Sequence, residues 1–120
     1  MSPTTYKILH ILGLLMAFGA LGGLTIQSML GNEDRKARKL IAIAHGIGLV
    51  ILLVSGFGMM AKLDLSYGSA WVWIKVGIWV LVGGLIALIR RMPGKAAFFW
   101  WSLPVLGAFA AWVALMKPGL

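Results

Sequence analysis

The sequence contains no cysteine and only three acidic residues among its 120 positions. The lack of cysteine excludes disulfides, thiolate-bound metals, iron–sulfur clusters and cysteine nucleophiles. The three acids, Glu33, Asp34 and Asp64, all lie in polar connections, so no carboxylate falls within an apolar stretch. A proton-coupled exporter needs a carboxylate embedded in the membrane. The composition therefore argues against a small multidrug exporter, although the size of the chain suits one.

The chain also has few charges of any kind: 12% of its residues are charged, and 61% are hydrophobic. A soluble domain typically carries about 25% charged residues. Four apolar stretches, at about 6–29, 40–61, 70–89 and 96–116, occupy most of the sequence. About 20 apolar residues are enough for a helix to cross a hydrocarbon core about 30 Å thick. The sequence therefore predicts an all-α polytopic membrane protein with a single transmembrane domain over residues 1–120.

The connections between these stretches are short. A polar run at 31–39, GNEDRKARK, forms the predicted first loop, and its Asn-Glu-Asp start is typical of a cap, either of the second helix or of a short turn of its own. Residues 62–69 form the second connection, and Pro93-Gly94 stops the third helix. Short connections favour antiparallel neighbours. We therefore expect an up-down-up-down four-helix transmembrane bundle.

Basic residues predict the orientation of this bundle. The first and third connections carry seven of them, against three on the opposite side. Under the positive-inside rule, the first and third loops are cytoplasmic and both termini lie outside. We expect an integral protein of a bacterial cytoplasmic membrane whose basic loops contact membrane lipids. The net charge of +8 is not arranged in a nucleic-acid-binding pattern, so no nucleic acid partner is expected.

Tryptophans and small residues add two expectations about packing. Five tryptophans lie near helix ends, where indole rings prefer the headgroup level; they are Trp71, Trp73, Trp100, Trp101 and Trp112. Trp79 lies deeper and is interpreted as a packing residue. Small residues recur at four-residue spacing, as in Gly19-x-x-x-Gly23 and Ala44-x-x-x-Gly48. Such spacing allows close helix contact, either within the bundle or with another subunit or a second copy.

Four polar side chains within the apolar stretches are costly enough to bury that they need a reason: His10, Gln27, His45 and Lys75. Ionisable groups inside a membrane span suggest a function. His10 is near the outer side and His45 near the inner side, so antiparallel helices separate them by roughly 20 Å. One metal cannot be bound by both, because imidazole–metal bonds are about 2 Å long. Each histidine either ligates a cofactor separately or donates to a polar group on the next helix.

Depth places His10 in one layer with Lys75. His10 shares its helix face with Gly13, Ala17 and Ala20, which leave room for a flat ring or a close helix. His45 shares its face with Gly48, Leu52 and Ser55. We therefore name His10, His45 and Lys75 as candidate cofactor-binding residues, with His10 as the candidate metal ligand.

The arrangement resembles a group of small membrane proteins that includes the SirB-type invasion regulators, the CopD-type copper-resistance proteins and the HemJ protoporphyrinogen oxidases. The resemblance is carried by YKILH at 6–10, by His45 followed by LVSG at 53–56, and by WVWIK at 71–75 with Arg90-Arg91. In the HemJ branch the resemblance implies haem b, with His10 as ligand and Lys75 nearby. The longer polar loop and additional histidine of that branch have no counterpart here.

Two functions follow as expectations. The first is a non-enzymatic accessory subunit of a larger membrane complex, which pairs with other membrane subunits or with its own copies and holds a cofactor at an interface. The second is a haem-associated redox or haem-handling protein that uses His10. A chain this small has little room to build an active site alone, which favours the first.

Overall fold

A computed structural model describes residues 2–31, 34–63 and 68–116 and confirms an all-α protein with four helices. The helices are α1 (Pro3–Met29), α2 (Arg35–Leu63), α3 (Ala70–Arg91) and α4 (Ala96–Met116), with a 3₁₀ turn at Pro93–Lys95 before α4. Each of the four is long and apolar enough to cross a membrane. The molecule is 47 Å long, close to the thickness of about 40–45 Å of a bilayer with its headgroups.

Local capping explains where α1 begins and ends. The Ser2 hydroxyl accepts a hydrogen bond from the Thr5 amide at 3.2 Å, and Pro3 occupies the first helical position. The helix therefore begins three residues before the predicted start. At its other end the chain leaves the helix through Gly31, whose φ of 63° lies in the left-handed region. Glycine adopts this conformation without steric cost, so it ends α1 near the predicted position.

The prediction that residues 31–39 form a loop is wrong for its second half, because α2 begins at Arg35. The Asp34 carboxylate accepts from the Lys36 amide at 3.2 Å and caps the new helix. Lysine, arginine and alanine are good helix formers, so RKARK forms the first turns of α2. The basic side chains thus project from a helix. Asn32 and Glu33 lie outside the described residues, as do residues 64–67 of the second connection.

Contacts between neighbouring helices show that their directions alternate. Between α1 and α2, His10 contacts Ser55, and Gly23 lies opposite Ile41. Between α2 and α3, His45 contacts Val82, and Leu49 contacts Trp79. Between α1 and α4, Gly22 lies opposite Trp100 and Phe18 opposite Gly107. In every pair, a later residue on one helix meets an earlier residue on the other, which confirms the up-down-up-down arrangement.

Two apolar clusters form the interior. The larger one runs through the middle of the bundle and consists of Ala17, Leu21, Leu24, Leu52, Val82, Leu85, Ile89, Phe99 and Leu103. The smaller one lies where α1 begins and α4 ends, and consists of Met60, Trp71, Val72 and Val113. We call that end of the bundle the terminal end. The opposite end, where α2 and α4 begin and α1 and α3 finish, is called the basic end.

Candidate functional site around His10

The backbones of α1 and α2 approach each other closely at Gly13 and Gly48. A Cβ atom on Gly48 would lie 2.7 Å from the Ala17 amide nitrogen and 2.8 Å from the Gly13 carbonyl oxygen. Only residues without a Cβ allow two helix backbones to approach this closely. Of the two occupants expected for the small-residue groove of α1, a flat ring or a close helix, the structure therefore shows the helix.

His10 lies beside this contact and is hydrogen-bonded to α2. Its Nδ1 is 2.9 Å from the Ser55 hydroxyl oxygen, and its ring packs over Gly56. Ser55 is buried and donates its own proton to the Leu52 carbonyl at 3.3 Å. A serine hydroxyl has one proton to donate, so the tautomer of His10 that is compatible with the Ser55–Leu52 bond carries its proton on Nδ1 and donates it to the Ser55 oxygen. That tautomer leaves a lone pair on Nε2, the arrangement that orients metal-binding histidines.

Lys75 belongs to the same layer as His10. The hydrogen bonds from His45 and Trp79 fix the alignment of α2 and α3, and this alignment places Lys75 opposite Leu52. Lys75 is half-buried, and its ammonium interacts electrostatically with the His10 ring. The expected grouping of these two residues by depth is therefore observed. An imidazole and a buried hydroxyl are hydrogen-bonded near the terminal end of the bundle, and an ammonium lies in the same layer.

His45 lies between α2 and α3 and is only 4% exposed. Its Nε2 donates to the Val82 carbonyl oxygen at 3.0 Å. One turn further along α2, the Trp79 indole donates to the Leu49 carbonyl at 2.9 Å. These two bonds join α3 to α2, so His45 takes the interhelical hydrogen bond that was the alternative to a cofactor. Gln27, the fourth polar residue, donates to the Asp34 carbonyl at the basic end.

The two histidines occupy different heights in the bundle. His10 is bonded to Ser55, which lies ten residues beyond His45 on α2. At 1.5 Å per residue this is about 15 Å along the helix, a separation that one metal ion cannot bridge. Within the described residues, no three histidine, aspartate or glutamate side chains gather as a metal site.

Two grooves lie on the described part of the bundle surface. One, of about 650 Å³, runs along α4 and is lined by Phe98, Trp101, Val105 and neighbours. Another, of about 230 Å³, lies between α1 and α2 and includes Tyr6 and Ser55. Neither is lined by His10, His45 or Lys75, and both are open to the surface. A flat cofactor at His10 would therefore need a covering surface from outside the chain.

The tryptophans divide into two groups. Trp73, Trp100, Trp101 and Trp112 are exposed near helix ends, as a membrane-interface position requires. Trp71 does not fit that expectation, because it is 6% exposed and packs with Met60 and Val113. Lys75, one turn along the same helix face, is half-buried as well. The sequence predicted His10 and Lys75 as candidate site residues, but it did not identify Ser55 as the hydrogen-bond partner of His10. The signal that could have identified Ser55 is the presence of a serine within an apolar helix.

No protein-family model, curated protein or solved structure matches the chain. The class of this protein is therefore defined by its fold and its candidate site alone. The protein is a bundle of four apolar helices, each long enough to span a membrane, with a histidine–serine–lysine group near its terminal end.

Proposed function

We propose that the chain is an integral membrane accessory subunit of a larger complex and holds a cofactor at an interface through His10. The membrane placement is supported by the outer surface, where large apolar side chains are widely exposed; Leu15 is 66% exposed and Val80 60%. Surfaces of this kind on a soluble protein mark aggregation or binding sites. Lipid tails solvate them without cost.

The observation that carries the cofactor role is the hydrogen bond between His10 Nδ1 and the buried Ser55 hydroxyl. With Nδ1–H donating to buried Ser55, Nε2 keeps the lone pair that binds a metal. Lys75 lies where it can pair with a carboxylate substituent of the cofactor. Haem b fits this donor set, because one imidazole ligates its iron and one ammonium pairs with a propionate. When bound, haem supplies one-electron chemistry.

The interface location follows from what surrounds His10. His10 is the one histidine in this layer of the described bundle, and α2 already fills the small-residue groove beside it. A second imidazole and a cover from water would come from another subunit or from a second copy. This is why an accessory role accounts for the geometry better than a complete active site in one chain.

A haem-associated redox or haem-handling protein, as in the SirB-type and HemJ resemblance, is the second candidate. It is favoured by the meeting of His10 and Lys75 in one layer. A visible absorption spectrum separates the candidates. The accessory role predicts a Soret band in the complex purified gently from its native membrane, and its loss when the chain is isolated. A Soret band at one haem per isolated chain supports the second candidate, and no visible band in either sample contradicts the cofactor role.

We expect the basic end to face the cytoplasm. Arg35, Lys36, Arg38, Lys39, Arg90, Arg91 and Lys95 all belong to this end. Loops rich in lysine and arginine remain cytoplasmic during insertion. A reporter that is active only outside the cytoplasm should therefore work when fused after residue 120. The same reporter inserted at residue 94 should be inactive. Cytoplasmic reporter activity at the C-terminus would reverse the orientation.

A further inference from the structure

The basic end contains a guanidinium that lacks acceptors. Arg90, in the last turn of α3, has its Nε and Nη2 atoms enclosed with no hydrogen-bond partner among the described residues. These two nitrogens share one edge of the guanidinium, the edge that binds two oxygens of a carboxylate or phosphate side by side. Enclosing such donors without an acceptor is costly. The edge is therefore suited to an anion that the protein itself does not provide.

A second arginine stands opposite. The hydrogen bonds His45–Val82 and Leu49–Trp79 set the alignment of α2 and α3. Continuing that alignment by about two turns toward the basic end places Arg38 opposite Arg90. The two guanidinium groups are close enough to repel each other electrostatically. Like charges on facing helices destabilise the pair unless an anion lies between them.

The protein has little negative charge to offer this pair. Asp34 is the acid at this end that the structure describes, and its carboxylate accepts from the Lys36 amide as the cap of α2. Five further basic residues belong to this end of the bundle, and the whole chain has three acids. Arg38 is exposed and Arg90 half-buried, so the pair lies at the bundle surface. The covered Nε–Nη2 edge reaches an external anion when the long Arg90 side chain turns outward, as arginine side chains do at membrane interfaces.

We propose that Arg90 and Arg38 bind the phosphate group of an anionic phospholipid at the basic end of the bundle. The Nε–Nη2 edge of Arg90 takes two phosphate oxygens, and Arg38 neutralises the same group from the facing helix. The side chains around the arginine pair favour a lipid over a free phosphate. Trp100 and Trp101 are exposed at the same end, and Leu88, two residues before Arg90 on α3, is also exposed. Indole rings mark the headgroup level, and exposed leucine offers a surface for acyl chains.

The inference relies on the membrane placement proposed above, but not on a cofactor. The test compares Arg90→Gln with Arg91→Gln, its exposed neighbour, because both remove one positive charge from the same helix end. Each protein is purified in mild detergent after incubation with vesicles of phosphatidylcholine containing phosphatidylglycerol, and retained phospholipid is counted by mass spectrometry. We expect wild type and Arg91→Gln to retain phosphatidylglycerol, and Arg90→Gln to lose about tenfold in affinity, as for a lost charge-assisted pair.

Two further arms keep the result decisive. Arg38→Gln changes an exposed side chain, so this variant should fold normally and still weaken phosphatidylglycerol retention. It replaces Arg90→Gln in the test if Arg90→Gln does not yield a folded, helical protein. Inorganic phosphate at matched concentration should not displace the lipid. Equal lipid loss in Arg90→Gln and Arg91→Gln would reduce the site to diffuse charge, and displacement by inorganic phosphate would assign it to a free anion; either result overturns the proposal. A chain that carbonate washes from membranes would instead refute the membrane placement.

Discussion

We expect Gly48→Ala to lower the free energy of unfolding by about 1–3 kcal/mol, the usual range for overpacking a close contact. The added Cβ would lie 2.7 Å from the Ala17 amide nitrogen and 2.8 Å from the Gly13 carbonyl oxygen. Both atoms belong to the backbone of α1 and cannot rotate away, so the two helices must separate. The separation would also lengthen the His10–Ser55 hydrogen bond, which spans the same pair of helices.

Gly46→Ala is the matched control. Gly46 lies on the same helix two residues away, and a Cβ there would meet nothing within 4 Å. Alanine is a better helix former than glycine by up to about 1 kcal/mol, so this variant should be neutral or more stable. Stability is measured by circular dichroism during denaturation in mixed detergent micelles. If Gly48→Ala proved as stable as Gly46→Ala, the close approach of α1 and α2 would be wrong.

The second large effect concerns His10. We expect His10→Ala to abolish cofactor binding in the complex while leaving the four-helix chain inserted in the membrane. The substitution deletes the ligand itself, whereas the lost bond to Ser55 contributes little to folding. Interhelical hydrogen bonds in membranes average about 0.6 kcal/mol and reach about 1.7. The measurement is the Soret absorbance per chain in complexes purified from both strains.

Ser55→Ala tests the arrangement behind that ligand. It keeps the His10 imidazole but removes the acceptor of Nδ1–H, so cofactor affinity should fall by about 10–100-fold, as for other partners of metal-binding histidines. His45→Ala provides the comparison at the other height of the bundle, because His45 donates to Val82 rather than to a ligand. Retained cofactor in His10→Ala, together with loss in His45→Ala, would move the site toward the basic end.

The sequence predicted part of the candidate site. The depth of each apolar residue along its helix grouped His10 with Lys75 and separated His10 from His45, and the structure has the same grouping. Depth depends only on counting residues from a helix end. It does not depend on how a helix is rotated about its axis. The hydroxyl of Ser55 therefore went unrecognised as the partner of His10, since rotation decides which face of α2 meets α1.

The sequence by itself determined the four apolar helices, their alternating directions and the collection of positive charge at one end, because hydrophobic length, capping residues and short connections act locally. Only the tertiary structure decided the contacts between helices. It set Gly13 against Gly48, directed His45 to the Val82 carbonyl and brought Arg38 opposite Arg90. These outcomes depend on the sliding and rotation of one helix against another, which side-chain packing fixes over the whole contact.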